Sequence, residues 1–181
     1  VAWEAYWRSR GYEPGYSDSN DLWATLRELV GQGDGKQTVF IGASRTRFDI
    51  DRDTWARETG VTPVQLGMNG AAAYPFLEDL AGDERFSGTV ICGITEGLFF
   101  LPEFTGLAQR AIGLVRYAKR RSVSERFSFW IYQNLETRLA MLNGWDLSLS
   151  SLLNGRFRFE NREHAVIIPP EPPLFASLDI N

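Results

Sequence analysis

Three short stretches of this chain carry residue types that could do acyl-transfer chemistry. In the first, Phe40-Ile41-Gly42-Ala43-Ser44-Arg45, a hydroxyl follows an apolar run and two small residues, where the backbone must turn sharply. A serine so placed can cap a helix, line an anion-binding turn, or act as a nucleophile. The second, Gly67-Met68-Asn69-Gly70, puts two glycines in one turn. Glycine lets the main chain approach a ligand closely and aim an N–H group at a developing oxyanion. The third, Val90-Ile91-Cys92-Gly93-Ile94-Thr95, ends an apolar run in a glycine and then a hydroxyl. Glu96 beside it reads as a surface carboxylate. A serine nucleophile also needs a base, and the only histidine is His164, in the string Asn161-Arg162-Glu163-His164.

The elements around these stretches alternate. Ser19, Asn20 and Asp21 open a helix that places Leu22, Trp23, Leu26, Leu29 and Val30 at helical spacing. A flexible turn, Gly31 to Lys36, leads to Thr38-Val39-Phe40-Ile41, a run without polar alternation that suits a strand covered on both faces. A helix near 51–59, a strand at 64–66, a helix near 73–82 and a strand at 89–93 continue the pattern. Asp49, Asp51 and Asp53 suit the dipole of the helix they precede better than a metal. Strands alternating with helices predict βαβ units, a parallel sheet, and three strand tips at one edge carrying Ser44, Gly70 and Thr95. Ligands of open α/β sheets bind beyond those ends. Residues 106–142 read as helical, with the capping box Ser122-Val123-Ser124-Glu125 starting a second helix. Arg116, Lys119, Arg120, Arg121 and Arg126 read as a solvated helix end, or as a contact for an anionic lipid or polymer. Val166-Ile167-Ile168 runs into Pro169-Pro170-Glu171-Pro172-Pro173, which calls for extended chain.

The 181 residues suffice for one core, so a single domain is expected. A net charge of -4 argues against a nucleic-acid partner. With Cys92 as the only cysteine, no intrachain disulfide or thiolate zinc cluster can form, and Cys92 itself reads as a small core residue. One histidine and scattered carboxylates argue against metal chemistry, and no cofactor is expected. No apolar run reaches the length of a membrane span. The opening Val1-Ala2-Trp3-Glu4-Ala5-Tyr6-Trp7-Arg8 fits either the remnant of an upstream anchor or an aromatic helix packed on the core.

Taken in order and spacing, the three blocks resemble those of SGNH/GDSL hydrolases, most clearly over residues 1–105. The resemblance implies a three-layer α/β/α, flavodoxin-like fold with a helical insertion at 106–160. It makes Ser44 the nucleophile and Gly70 an oxyanion donor, with Asn69 in the same turn. It implies an esterase or acyl-transfer activity on a small-molecule, glycan or lipid ester. The relatives in question are bacterial envelope proteins, which implies a periplasmic, membrane-anchored setting. Two positions depart from the family: Thr95 stands where an asparagine belongs in the oxyanion hole, and Asn161 replaces the aspartate of the closing Asp-x-x-His. A domain incomplete at its C-terminus, with its base further on, accounts for the second. Two alternatives stay open. One is a degenerate SGNH-like binding or assembly module. The other is a phosphate-cradling turn at Ser44-Arg45-Thr46-Arg47, in which Arg45 holds the anion, although the chain has neither a G-x-G-x-x-G fingerprint nor a Walker lysine.

Overall fold

The computed structural model describes residues 2–15, 19–32 and 37–142. His164, Asn161, the Pro-rich segment and most of the turn before residue 37 lie outside the described residues. By its packing the chain divides into two compact units, one of residues 18–126 and one joining residues 1–17 to those from 127 onward. The stretch expected as one helical insertion therefore contributes to both units.

The larger unit is mixed α/β, as the alternating pattern predicts, and is built on a three-stranded parallel sheet. Strands β1 (Thr38–Gly42), β2 (Val64–Gln65) and β3 (Thr89–Gly93) lie in the order β2-β1-β3. Phe40 pairs with Gln65 and Gly42 with Gly93, so the strands end nearly together. All five residues of β1 are buried, which is why that run shows no polar alternation. Among the described residues β3 has a neighbour on one side only, and its residues are half-buried or exposed. Cys92, expected in the core, is accordingly half-buried on this edge strand, where burial pushes its thiol pKa up.

Helix α2 (Asn20–Leu29) starts at Ser19, whose hydroxyl accepts the Leu22 N–H at 3.1 Å. Its apolar face carries Trp23, whose indole donates to the Leu66 carbonyl at 2.9 Å and whose ring packs on Phe76. Phe76 belongs to α5 (Tyr74–Ala81). Helix α7 (Gly106–Arg120) presents Ala108, Ala111, Leu114 and Ala118 at helical spacing, and these mostly small side chains let it lie close to α2 and α5. Between β1 and β2 run a short helix, α3 (Ser44–Phe48), and α4 (Arg52–Thr59). The Asp51 carboxylate caps α4 by accepting the Asp53 and Thr54 N–H groups, and a bond from the Thr54 hydroxyl, with these backbone bonds behind it, holds its pKa down. Trp55 of α4 stands edge-on to Phe40. A short helix α6 (Glu96–Phe99) follows β3.

Helix α8 (Val123–Glu136) opens with the capping box read from the sequence: Glu125 accepts from the Ser122 N–H at 2.7 Å and the Ser122 hydroxyl accepts the Glu125 N–H at 3.3 Å. The basic cluster is not a wholly solvated helix end. The Arg121 side chain is 1% exposed and donates to Thr25 Oγ1 at 2.6 Å, beside Asp21. Lys119 pairs with Asp79 and Arg126 with Glu28. The end of α7 packs along α2, whose Asp21 and Glu28 meet Arg121 and Arg126, while Lys119 reaches Asp79 of α5. On the same face Tyr117 donates to Asp21 at 2.7 Å, and burial together with that carboxylate pushes its pKa up to about 12.

In the smaller unit α1 (Ala2–Ser9) gathers the rings of Trp3, Tyr6, Trp7 and Tyr12, with Trp7 buried. The Glu4 carboxylate accepts the Ala140 and Met141 N–H groups at 2.9 and 3.0 Å, at the start of a 3-10 turn, Ala140–Leu142. Those bonds hold Glu4 below its usual pKa, the one from Met141 most strongly. Among the described residues no helix is long and apolar enough to cross a membrane.

Candidate functional site

The chain leaves β1 through Ala43, the N-cap of α3, which has no side-chain acceptor to offer, so Ser44 begins the helix uncapped and half-buried. The reason for the sharp turn lies two residues on. Thr46 is 5% exposed and packs over the ends of β1 and β3, where any Cβ on Gly42 or Gly93 would collide with it. The glycines at these two tips are thus required by one threonine.

The tip of β2 is fastened to the same place. Gln65, 1% exposed, donates its carboxamide N–H to the Thr46 carbonyl at 2.8 Å and accepts the Gly67 N–H at 2.9 Å. Next, the Met68 N–H donates to the Gly42 carbonyl at 3.0 Å. Ser44 and Gly70 each stand two residues beyond that Gly42–Met68 bond. Gly70 has φ 67, the left-handed region where a side chain is strained, and Asn69 before it is exposed. The Ala72 N–H donates to the Leu107 carbonyl at 3.1 Å and so ties the exit of this turn to the start of α7.

Arg110, which the sequence reading passed over, belongs to this region. A Cβ on Gly70 would lie 3.2 Å from Arg110 Nη1, so the guanidinium covers the open side of the glycine. Arg110 is exposed and, among the described residues, has no carboxylate partner. Its position 40 residues after Gly70 and within a helix gave no local signal; only the packing of α7 against the turn brings it here. Arg45 is likewise exposed and unpaired among the described residues.

At the third tip Thr95 is the N-cap of α6, and its carbonyl accepts the Leu98 and Phe99 N–H groups at 2.8 Å. Its hydroxyl makes no capping bond and is free to donate. Glu96 is exposed, as read. Beyond β3 the chain exposes large apolar groups, Ile94, Phe100 and Phe104, the last 85% exposed. The arrangement offers a hydroxyl at a helix start, a glycine turn with a backbone hydrogen bond on either side, a spare threonine hydroxyl and two guanidinium groups. Donors of these types suit an anion or an acyl carbonyl; the sequence candidate for a base, His164, lies outside the described residues. Comparison with known protein families, with curated proteins and with solved structures finds no match to this chain.

Proposed function

We propose that this chain is an SGNH/GDSL-type esterase or acyl-transfer domain with Ser44 as nucleophile. The observation that carries the reading is the hydrogen bond between Gly42 and Met68, which anchors the β1 and β2 tips together so that Ser44 and Gly70 follow it at equal distance along the chain. The order β2-β1-β3 supports the layered part of the proposal. Crossovers of the usual right hand, out of and back across a central β1, would put α4 and α5 on opposite faces, as the flavodoxin-like arrangement requires.

In this reading Ser44 Oγ attacks the ester carbonyl, its proton passes through a base to the departing alcohol, and an acyl-serine remains. The Ser44 and Gly70 N–H groups hold the oxyanion, with Thr95 or Asn69 as third donor. Arg45 and Asn69 contact the substrate, an O-acyl group of an envelope glycan, a lipid or a small ester. Water or an acceptor hydroxyl then releases the acyl group. Treatment of the full chain with a serine-reactive phosphonate should label Ser44. Absence of label, together with a silent Ser44→Ala in ester hydrolysis, overturns the proposal.

One observation favours a second reading, a binding or assembly module without turnover. Thr95 is a shorter donor than the asparagine of the family, and loss of one well-aimed donor costs about 100- to 1000-fold in rate.

A further inference from the structure

The larger unit contains a polar cavity whose lining includes none of the strand-tip residues. It has a volume of about 450 Å³ and is lined by α2, α5, the turn after α5, α7 and the first turn of α8. Its α2 wall directly precedes β1 and its wall from Asp79 to Arg85 precedes β3, so these walls lie toward the ends where the strands begin; Val115, Ala118, Lys119 and Arg126 follow β3 and complete the lining. Four cations, Arg27, Arg85, Lys119 and Arg126, face three carboxylates, Glu28, Asp79 and Asp83.

The charges form an alternating chain. Arg85 pairs with Asp83 at 2.9 Å, Arg27 lies between Asp83 at 3.0 Å and Asp79 at 2.6 Å, and Lys119 closes the far end on Asp79 at 2.6 Å. The middle of this chain is buried, with the Arg27 and Asp79 side chains 8% and 4% exposed, while Arg85 and Lys119 at its ends are 71% and 66% exposed. Arg126, half-exposed, lies 3.2 Å from Glu28. The pairs use only part of each cation's donor capacity. Buried Asp79 Oδ1 and Glu28 Oε1 are met by Lys119 Nζ at 2.6 Å and Arg126 Nε at 3.2 Å. An ammonium has three N–H groups and a guanidinium five, so both cations keep donors beyond these contacts. The cavity thus presents cationic donors at its rim and carboxylate acceptors in its wall, held in place by the Arg27 pairs.

We propose that this cavity binds a small anion that also carries hydroxyl groups, of the polyol- or sugar-phosphate class. The phosphate would take the donors of Lys119 and Arg126, whose charge-assisted bonds are the strong ones, and the hydroxyls would donate to Glu28 and Asp79. A ligand of this size fits the volume, which lies in the range of small-molecule sites. The polar lining excludes an apolar one.

Calorimetric titration of the full chain at constant ionic strength tests this, with glycerol 3-phosphate, inorganic phosphate and glycerol as ligands. Glycerol 3-phosphate should bind more tightly than phosphate, and glycerol should not bind. Lys119→Met and Arg126→Met, which keep the side-chain stems, should each weaken glycerol 3-phosphate by about tenfold or more, the loss expected for one charged hydrogen bond. Arg116→Met, on the exposed side of α7 and outside the cavity wall, should leave binding unchanged. Equal affinity for phosphate and glycerol 3-phosphate, binding no stronger than that of chloride, or indifference to both cavity variants overturns the proposal. None of these results depends on Ser44.

Discussion

The Thr46 side chain occupies the space that a Cβ on Gly93 would need, although the two residues are 47 positions apart and belong to different elements. The Thr46 hydroxyl is the atom most in the way at Gly93, and its Cβ, at 3.2 Å, would be tolerable; at Gly42 the Cβ too is in conflict, at 2.5 Å. Gly93→Ala should therefore destabilise the protein by about 1–3 kcal/mol, the usual cost of overpacking. Thr46→Ala should recover much of that loss in the double variant and little of the loss from Gly42→Ala. Urea denaturation of the two cycles reads the difference, and equal rescue at both glycines would contradict the packing described.

Gln65 joins β2 to α3 through two buried hydrogen bonds. Gln65→Leu removes both and leaves the Thr46 carbonyl and the Gly67 N–H without partners. The expected loss is about 2–3 kcal/mol by chemical denaturation, and the Ser44 region should lose amide-exchange protection before the rest of the sheet. A neutral effect would mean that these groups find water.

Gly70 combines a positive φ with the guanidinium of Arg110 above it. Gly70→Ala should cost about 1–2 kcal/mol in stability from the left-handed backbone alone. If the proposed hydrolysis is correct, it should also lower ester turnover by about 100-fold by displacing an oxyanion donor. Arg110→Ala should relieve the contact at Gly70→Ala, raising the stability of the double variant above that of the single one; a double variant no more stable places the guanidinium elsewhere.

Asp83 sits among hydrogen bonds from Arg85 and Arg27, which hold its carboxyl well below its ordinary value of 3.8. A carboxylate depressed in the folded state binds its proton more readily when unfolded, so its contribution is complete above about 3.8 and is lost as the pH falls through the lower folded value. Asp83→Asn should lower stability near neutral pH and flatten the fall in stability below about pH 4. Thermal melts between pH 2 and 7 check this, and an acid limb as steep as in the parent chain would assign that limb to other carboxylates.

Ser122→Ala breaks the reciprocal bonds with Glu125 at the start of α8. The loss of such a cap costs about 1 kcal/mol, measurable by denaturant titration. It should also return Glu125 toward its usual pKa, since the Ser122 hydroxyl is the main cause of its depression.

Much of this fold was legible in local residues. The apolar run of β1, the Ser19, Asp51 and Ser122 caps, and the alternation of strands with helices follow from short-range rules of burial and hydrogen bonding, and these lie along the chain. The three candidate tips were legible for the same reason, since glycines and hydroxyls at strand ends announce turns. What only the tertiary structure decided involves residues far apart in sequence. The glycines at 42 and 93 answer to Thr46, the side chain of Arg110 reaches the Gly70 turn across α7, and Arg121, read as solvated, is buried against α2. The place of β3 at the edge of the sheet among the described residues, and with it the partial exposure of Cys92, depends on which strands pair, which no single run can encode. A periodic pattern states that a face will be covered; which side chain covers it is settled by packing, where long-range contacts compete on sub-ångström terms.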